Sequence, residues 1–457
     1  MGLRFSAFPP KRTTMATHKT LPGFRDFYPE DCSLRNHLFS VWRQCAKRFG
    51  FQEYDGPILE SLELLTAKSG DEIAGQLFNF EDKGGRAVTL RPELTPTLAR
   101  MVSAKANALP RPIKWYSIGE NFRYERQQKG RLRSFYQFNA DILGEAGPIA
   151  DAEVIGLLVE SLCSQGLQRD EFIVRLSDRN LWFYFIESLG FTGEQATGAL
   201  GIIDKMERMP PEKALAALGE LGAPDPAKTF QAITDFQQLP DVEAIAAFLS
   251  KMDLSEESHD KLNGRLDAWR ELLDLLDAAG LNDFVKLDLR IVRGLAYYTG
   301  FVFEAFQTVG KGRALAGGGR YDDLLEKLGG SAMPAVGFGM GDVTLRDLLE
   351  EVNRLPRLID KADIFLVYTG DAGFKAALGD AYALRRQGLR AELPFREAGM
   401  GKQFKQAAQS GADFTLVYGP EELAQGIVQV KHMRTGEQKA VPAAQLVGSV
   451  LALWREG

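Results

Sequence analysis

Cysteine is scarce: the chain holds only Cys32, Cys45 and Cys163, an odd number without metal-ligand spacing. That excludes a disulfide scaffold and points to a reducing, cytoplasmic setting. The four histidines (His18, His37, His259, His432) are scattered, so no zinc site is expected. No apolar run reaches the roughly 18 residues of a membrane span, so no membrane role is expected either. A strong excess of one charge is also missing. Fifty-five Lys and Arg against 61 Asp and Glu leave −6, so a polyanion has to be met by local patches. No Gly-Lys-Ser/Thr follows any glycine cluster, which removes the P-loop as a way of holding a nucleotide.

What is present is a chain of 457 residues, 45% hydrophobic and 25% charged, enough for two or three domains with a sizeable core. Residues 1–20 carry Arg4, Lys11, Arg12 and Lys19 without an acid. The pattern is weakly like a transit peptide, but a flexible tail is the expectation. Helical spacing of Leu34, Leu38, Val41, Trp42 and Cys45 predicts a helix over 34–49 stopped by Gly50. A strand interrupted by Pro57 is expected over 51–59, and another over 86–91. Thr95 is expected as an N-cap with Pro96 at the first helical position.

Two strands are expected at 113–125 and 133–143, then a helix near 150–165. Residues 186–280 read as helical throughout, with Pro-rich breaks at 210–211 and 224–226. Strand signals resume at 285 and run to 306. A glycine-rich turn (Gly317, Gly318, Gly319), a short helix at 321–328 and a strand-to-helix element at 336–349 follow. Residues 353–361 read as a linker. Beyond it, strands at 364–368, 389–393 and 414–418 alternate with helical stretches, which predicts a small sheet with parallel pairs. A hairpin around Thr435-Gly436 and a helix at 443–454 close the chain. Residues 361–457 hold 12 Lys and Arg against 10 Asp and Glu, a net of +2 beside −8 for the rest.

The most informative stretch is Phe122 to Asp141. Alternation along a strand puts Arg133, Phe135, Gln137, Asn139 and Asp141 on one face, leaving Tyr136, Phe138, Ala140 and Ile142 for the core. The antiparallel partner adds Arg123 and Glu125. The connecting loop carries Arg126, Lys129, Arg131 and Arg133 without an acid, which suits a phosphate-rich ligand. Gly337, Gly339 and Gly341 recur at period two and strip one face of a strand, leaving room for a flat group.

These motifs resemble those of a class II aminoacyl-tRNA synthetase, specifically the histidyl-tRNA synthetase family. The resemblance rests on Pro-Gly-Phe-Arg-Asp-Phe at 22–27, Leu-Arg-Pro-Glu-Leu-Thr at 90–95 and the hairpin Phe-Arg-Tyr-Glu…Gln-Lys-Gly-Arg-Leu-Arg-Ser-Phe-Tyr-Gln. It also rests on Arg-Gly-Leu-Ala-Tyr-Tyr-Thr-Gly at 293–300 and Ala-Gly-Gly-Gly-Arg-Tyr-Asp at 316–322, and it extends in order over 20–457. It implies an α+β catalytic domain, an antiparallel sheet flanked by helices, over 21–185 and 281–352. A helical insertion at 186–280 and a small α/β anticodon-binding domain at 362–457 go with it.

By the same resemblance the substrates are ATP with Mg²⁺, histidine and tRNA(His), and the protein pairs as a homodimer through the segment around Leu34–Pro57. Arg123 is then expected on the carboxylate and α-phosphate, Glu125 on the adenine edge, Phe135 stacked on adenine and Arg133 near ATP. Glu93 and Thr95 hold the α-amino group, and Gln137 orients the amino acid. Asp141 and Tyr298 take the two imidazole nitrogens, with Tyr297 lining the pocket. Arg293 steadies the α-phosphate, and Gln128 and Arg131 approach the tRNA acceptor end. The chain departs from the family pattern at Ala296, Asn139, Asp141 and Thr344, the last standing where an ATP-binding Arg is usual. The alternative that shares the fold is a non-catalytic, histidine-sensing regulatory subunit of ATP phosphoribosyltransferase.

Overall fold

A computed structural model describes residues 18–66, 75–125, 131–207, 209–252, 256–292, 297–310, 312–356, 358 and 361–456. Two compact units result: Leu34–Pro356 with the residues up to Tyr28, and Arg357–Gly457 with Pro29–Ser33.

In the first unit the strands are β1 (Gln52–Glu53), β2 (Leu59–Ser61), β3 (Phe78–Glu81), β4 (Ala87–Leu90), β5 (Ile113–Phe122) and β6 (Ser134–Leu143). They continue with β7 (Phe172–Asp178), β8 (Val285–Leu287), β9 (Phe301–Gln307), β10 (Ala314–Arg320) and β11 (Ala335–Gly341). Among the described residues, eight strands form one sheet in the order β1-β5-β6-β11-β10-β9-β7-β8. The six central strands pair antiparallel, and a parallel pair closes each edge (β1 with β5, β8 with β7). A smaller sheet, β2-β4-β3, stands apart.

Alternation along β6 decides which face is core. Phe138, Ala140 and Ile142 are buried among Trp42, Leu158 and Phe338, with helices Pro29–Arg48 and Pro148–Ser164 supplying the apolar cover. The residues between them face the opposite side. Helix Pro29–Arg48 begins five residues before the expected 34, because Pro29 suits its first turn and Glu30 and Asp31 favour its N-terminus.

Helices Arg179–Ser188, Glu194–Met206, Pro211–Glu220, Pro226–Gln237, Val242–Leu249 and Glu256–Ala278 occupy the stretch read as helical, with new helices starting at the proline breaks. Asp178 caps the first of them through the Asn180 amide at 2.8 Å. It also accepts from Trp269 Nε1 at 2.8 Å and pairs with Arg265, both from the last helix.

Four expectations need correction. The segment 285–306 is not one strand, since β8 ends at Leu287 and β9 begins at Phe301. Gly317–Gly319 lie within β10 rather than a turn: a Cβ at Gly318 would overlap Gly337 O and the Phe303 ring, so glycine answers crowding between strands. Thr95 is the first helical residue of Thr95–Ser103 and caps nothing, Leu94 being the N-cap. The helix after Tyr321 is one turn, Leu324–Lys327. Strands β3 and β7 had no expected counterpart.

The second unit holds a five-stranded sheet among the described residues, ordered β13-β12-β14-β15-β16. Its strands are β12 (Ile364–Tyr368), β13 (Ala391–Glu392), β14 (Phe414–Tyr418), β15 (Ile427–His432) and β16 (Gln438–Pro442). β12 pairs parallel with both β13 and β14, as the alternation of strand and helix requires, and β15 and β16 add an antiparallel hairpin. Leu366, Leu416 and Val430 are buried on one face, Phe365 and Val367 on the other. No helix among the described residues is long and apolar enough to cross a membrane.

Candidate functional site

The sheet face opposite the β6 core carries a cavity of about 280 Å³. Phe135, Gln137, Asn139 and Asp141 project into it from β6, the alternate residues of one strand. β11 lies beside β6 with Gly337 opposite Asp141, Gly339 opposite Asn139 and Gly341 opposite Gln137. All three glycines line the cavity. A Cβ at Gly339 would overlap Gln137 Nε2, so bare backbone is what gives the β6 side chains their space.

One end of the cavity is deep and polar. Glu93 Oε2 accepts from the Tyr297 hydroxyl at 2.9 Å, and Thr95 also bonds Tyr297. Burial and the Glu93 carboxylate push the Tyr297 phenol well above its ordinary range. Asp141 is 3% exposed; its Oδ1 accepts from the Tyr321 hydroxyl at 2.6 Å. Burial, opposed by the Tyr321 bond and helped by Glu93, leaves the Asp141 carboxyl pushed up to about 7. Asp141 Oδ2 is buried with no hydrogen-bond partner among the described residues. Gln137 is oriented by Asn121, whose Nδ2 donates to Gln137 Oε1 at 3.1 Å.

The cations lie among the lining residues near Phe135. Arg123 lies over the Phe135 ring at 5.2 Å, and its Nε donates to Pro92 O at 3.1 Å, tying it to the segment that bears Glu93. That segment is itself held by buried Arg91, which donates to Glu120 O at 3.0 Å and Gly56 O at 2.6 Å. Glu125 pairs with Arg131 at 3.1 Å, and both line the cavity. Ala314, Gly317, Val343 and Thr344 add an uncharged part of the lining.

The structure therefore brings together Glu93, Thr95, Arg123, Glu125, Arg131, Phe135, Gln137, Asp141, Tyr297 and Tyr298. Arg133 is placed differently. Its guanidinium covers the Tyr124 ring at 4.1 Å and its stem packs where a Gly23 side chain would go, so it is not among the lining residues. Arg293, Ala296 and Gln128 fall outside the described residues. Three contributors had no role assigned from sequence: Arg91, Asn121 and Tyr321. Asn121 lies in a strand that also holds Lys114, Ser117 and Glu120, so its polarity alone did not single it out. Among the described residues no cluster of three His, Cys, Asp or Glu suits a metal ion.

The arrangement joins a carboxylate- and phenol-lined part to a cationic, aromatic part in one cavity. Known proteins agree with it. A histidyl-tRNA synthetase family model matches residues 23–344, and an anticodon-binding domain model matches residues 363–453. The chain is 49% identical over 436 residues to a histidine–tRNA ligase of Opitutus terrae, covering 95% of this chain and 98% of that one. It is 38% identical over 431 residues to a histidine–tRNA ligase of Halobacterium salinarum, covering 94% and 97%. The crystal structure of histidyl-tRNA synthetase from Nostoc sp. superposes with a TM-score of 0.76 at 25% identity, covering 95% of this chain and 99% of that one. Fold, cavity and matches over nearly the whole length lead to one conclusion: the chain belongs to the histidyl-tRNA synthetase family.

Proposed function

We propose that this protein is a histidine–tRNA ligase. It joins histidine to ATP as histidyl-adenylate, releasing pyrophosphate, and then passes the histidyl group to the 3′ end of tRNA(His). The observation that carries the reading is the single cavity in which Glu93, Gln137, Asp141 and Tyr298 meet Arg123 and Phe135.

In the first step a histidine carboxylate oxygen bonds to the α-phosphorus as the bond to the β-phosphate oxygen breaks. In-line chemistry of this kind needs positioning and charge neutralisation more than proton transfer. Arg123 neutralises the carboxylate and the α-phosphate; Arg293 steadies the same phosphate, as in the family. A donor of this type contributes on the order of 3 kcal/mol to the barrier. Phe135 stacks on adenine and Glu125 accepts from its amino edge. Glu93 and Thr95 hold the α-amino group, and Gln137 orients the substrate backbone.

Asp141 and Tyr298 pair the two imidazole nitrogens, with Tyr297 as the wall beside them. A side chain lacking those groups leaves buried polar atoms unpaired, which discriminates by about 10⁴-fold or more without an editing site. Mg²⁺ would come with ATP and would supply charge neutralisation on its phosphates. Among the described residues beside Phe135, the Glu125 carboxylate is paired to Arg131.

In the second step a terminal ribose hydroxyl attacks the acyl carbon and AMP leaves. Gln128 and Arg131 meet the acceptor end, while residues 362–457 read the anticodon. Phe395 supports that division. It is 94% exposed on a loop pinned by Tyr368 Oη donating to Pro394 O (3.0 Å) and Gln403 Nε2 donating to Ala398 O (2.6 Å), with Arg396 beside it. An exposed ring on a fixed loop is a stacking platform for an unpaired base.

The catalytic domain is assigned to 21–185 and 281–352, the insertion to 186–280 and the linker to 353–361. Half-exposed Ile58 and Leu59, beside Leu34–Pro57, support a homodimer. The scarcity of cysteine, with only Cys32, Cys45 and Cys163 in the chain, supports a cytoplasmic setting.

The test is transfer of labelled histidine to purified tRNA(His), with a non-cognate tRNA as control and salt as a variable. Charging confined to tRNA(His), with affinity falling as salt rises, is expected. Absence of charging, or charging indifferent to the tRNA, contradicts the reading.

A further inference from the structure

The cavity holds one group whose role the reaction scheme leaves open. Tyr321 follows β10 directly, and its phenol, buried to 2% exposure, reaches back across β11 to Asp141 on β6. It can cross because Gly337 stands between them without a side chain. The bond runs from Tyr321 Oη to Asp141 Oδ1, so one carboxylate oxygen is committed. The other, Oδ2, is the buried atom without a partner, and Asp141 lines the cavity. A carboxyl with one oxygen fixed and one open has a defined orientation, and a donor on the first oxygen favours the ionised form.

We propose that Tyr321 is a positioning residue for side-chain recognition: by donating to Asp141 Oδ1 it aims Oδ2 at the substrate and keeps it an acceptor, so that the pocket takes an N–H of a neutral imidazole. The inference rests on the histidine reading above. Asp141 needs such help, because among the described residues the other ionisable groups acting on it bring no positive charge. Glu93 repels it, and the phenols of Tyr54, Tyr297 and Tyr298 bring no positive charge. From β5 the residue opposite is Trp115, and from β11 it is Gly337, neither of which titrates. Tyr54 is the informative neighbour. It is buried too, at 8% exposure, but its hydroxyl has no partner among the described residues. Burying a phenol near Asp141 is therefore not enough; the bond is what distinguishes Tyr321.

The experiment is histidine-dependent ATP–pyrophosphate exchange on the full chain from pH 5.5 to 9, for wild type, Y321F and Y54F. For Y321F the KM for histidine is expected to rise about tenfold at pH 7.5, the loss of one hydrogen bond to a charged group. The kcat should stay within about twofold of wild type and the KM for ATP should not change. The acid limb of kcat/KM for histidine should move to higher pH by about one unit. Free histidine titrates identically with every variant, so a variant-dependent limb reports the protein carboxyl. Y54F should leave the limb in place.

Incorporation of 3-fluorotyrosine at 321 keeps the ring and strengthens the donor, so the limb should then move to lower pH. Opposite shifts from these two changes are not produced by a loss of packing. An unmoved limb in Y321F and in the fluorotyrosine protein overturns the inference while leaving the histidine reading intact. Absence of exchange in wild type removes both.

Discussion

Gly337 on β11 stands directly opposite Asp141 on β6, and the Asp141 carboxyl occupies the space a side chain at 337 would fill. A Cβ built there falls well inside the 3.0 Å that real Cβ atoms keep, against Asp141 Oδ1 and the backbone of Ala140. The neighbours to be displaced are a rigid strand and the pocket's own acceptor, so no cheap adjustment is open. Gly337→Ala is expected to raise the KM for histidine by about 100-fold or to abolish exchange at accessible concentrations. The KM for ATP, bound at the other end, should change little. Steady-state exchange kinetics with each substrate varied in turn check this.

Asp141 also sets a trade between stability and function. Its carboxyl titrates near 7 in the fold, above the roughly 3.9 of an unfolded chain. Between those values the folded state holds a proton that the unfolded state has released, so stability falls as pH rises through that window. Asp141→Asn removes the effect. The melting temperature of the apo protein should rise by a few degrees at pH 8 and hardly move near pH 4, while histidine-dependent exchange is lost. Thermal scans of both proteins at the two pH values decide it, and equal differences at both would contradict the burial argument.

Phe135 lies under the Arg123 guanidinium on the nucleotide shelf. Base stacking on an aromatic ring contributes about 1–3 kcal/mol. Phe135→Ala should therefore raise the KM for ATP about tenfold or more, leave that for histidine nearly unchanged, and be rescued by Phe135→Tyr. A matching rise for histidine would place Phe135 elsewhere than against adenine.

The Arg320–Asp151 pair is almost wholly buried and ties the strand before Tyr321 to helix Pro148–Ser164. Arg320 also donates to Glu145 O and Gly147 O, both at 3.1 Å. Removing one partner of such a pair costs about 3–5 kcal/mol, less for Asp151→Asn, because Arg320 keeps Asp322 at 3.3 Å. Arg320→Met and Asp151→Asn should each lower the urea midpoint clearly, and the double variant by less than the sum. Additive losses would show that the pair is not coupled.

Much of this site was legible in the sequence. The period-two alternation from Phe135 to Asp141 assigned four cavity residues to one face, and the spacing of Gly337, Gly339 and Gly341 marked the bare strand beside them. Both signals are local, and strand geometry converts them directly into facing. The misread parts depend on partners far along the chain. Gly317–Gly319 read as a turn because nothing nearby shows that Gly318 is squeezed between Phe303 and Gly337.

Thr95 read as a cap because Thr-Pro before an apolar run is a cap signal, whereas its hydroxyl bonds Tyr297, two hundred residues away in sequence. Strand β7 alternates only over Val174–Ser177, a stretch too short to announce it, and lies between β8 and β9. Tyr321 was visible only as part of a motif. Its meaning depends on Asp141, and that contact exists only once β6, β11 and β10 are side by side.

The most direct test of the central claim is ATP–pyrophosphate exchange by the purified full chain with each of the twenty amino acids in turn. The account predicts exchange with histidine alone, showing that the pocket around Asp141 and Tyr298 selects the side chain and that the shelf at Phe135 and Thr344 holds ATP productively. Exchange with a different amino acid, or no exchange while histidine still binds in calorimetry, would contradict it.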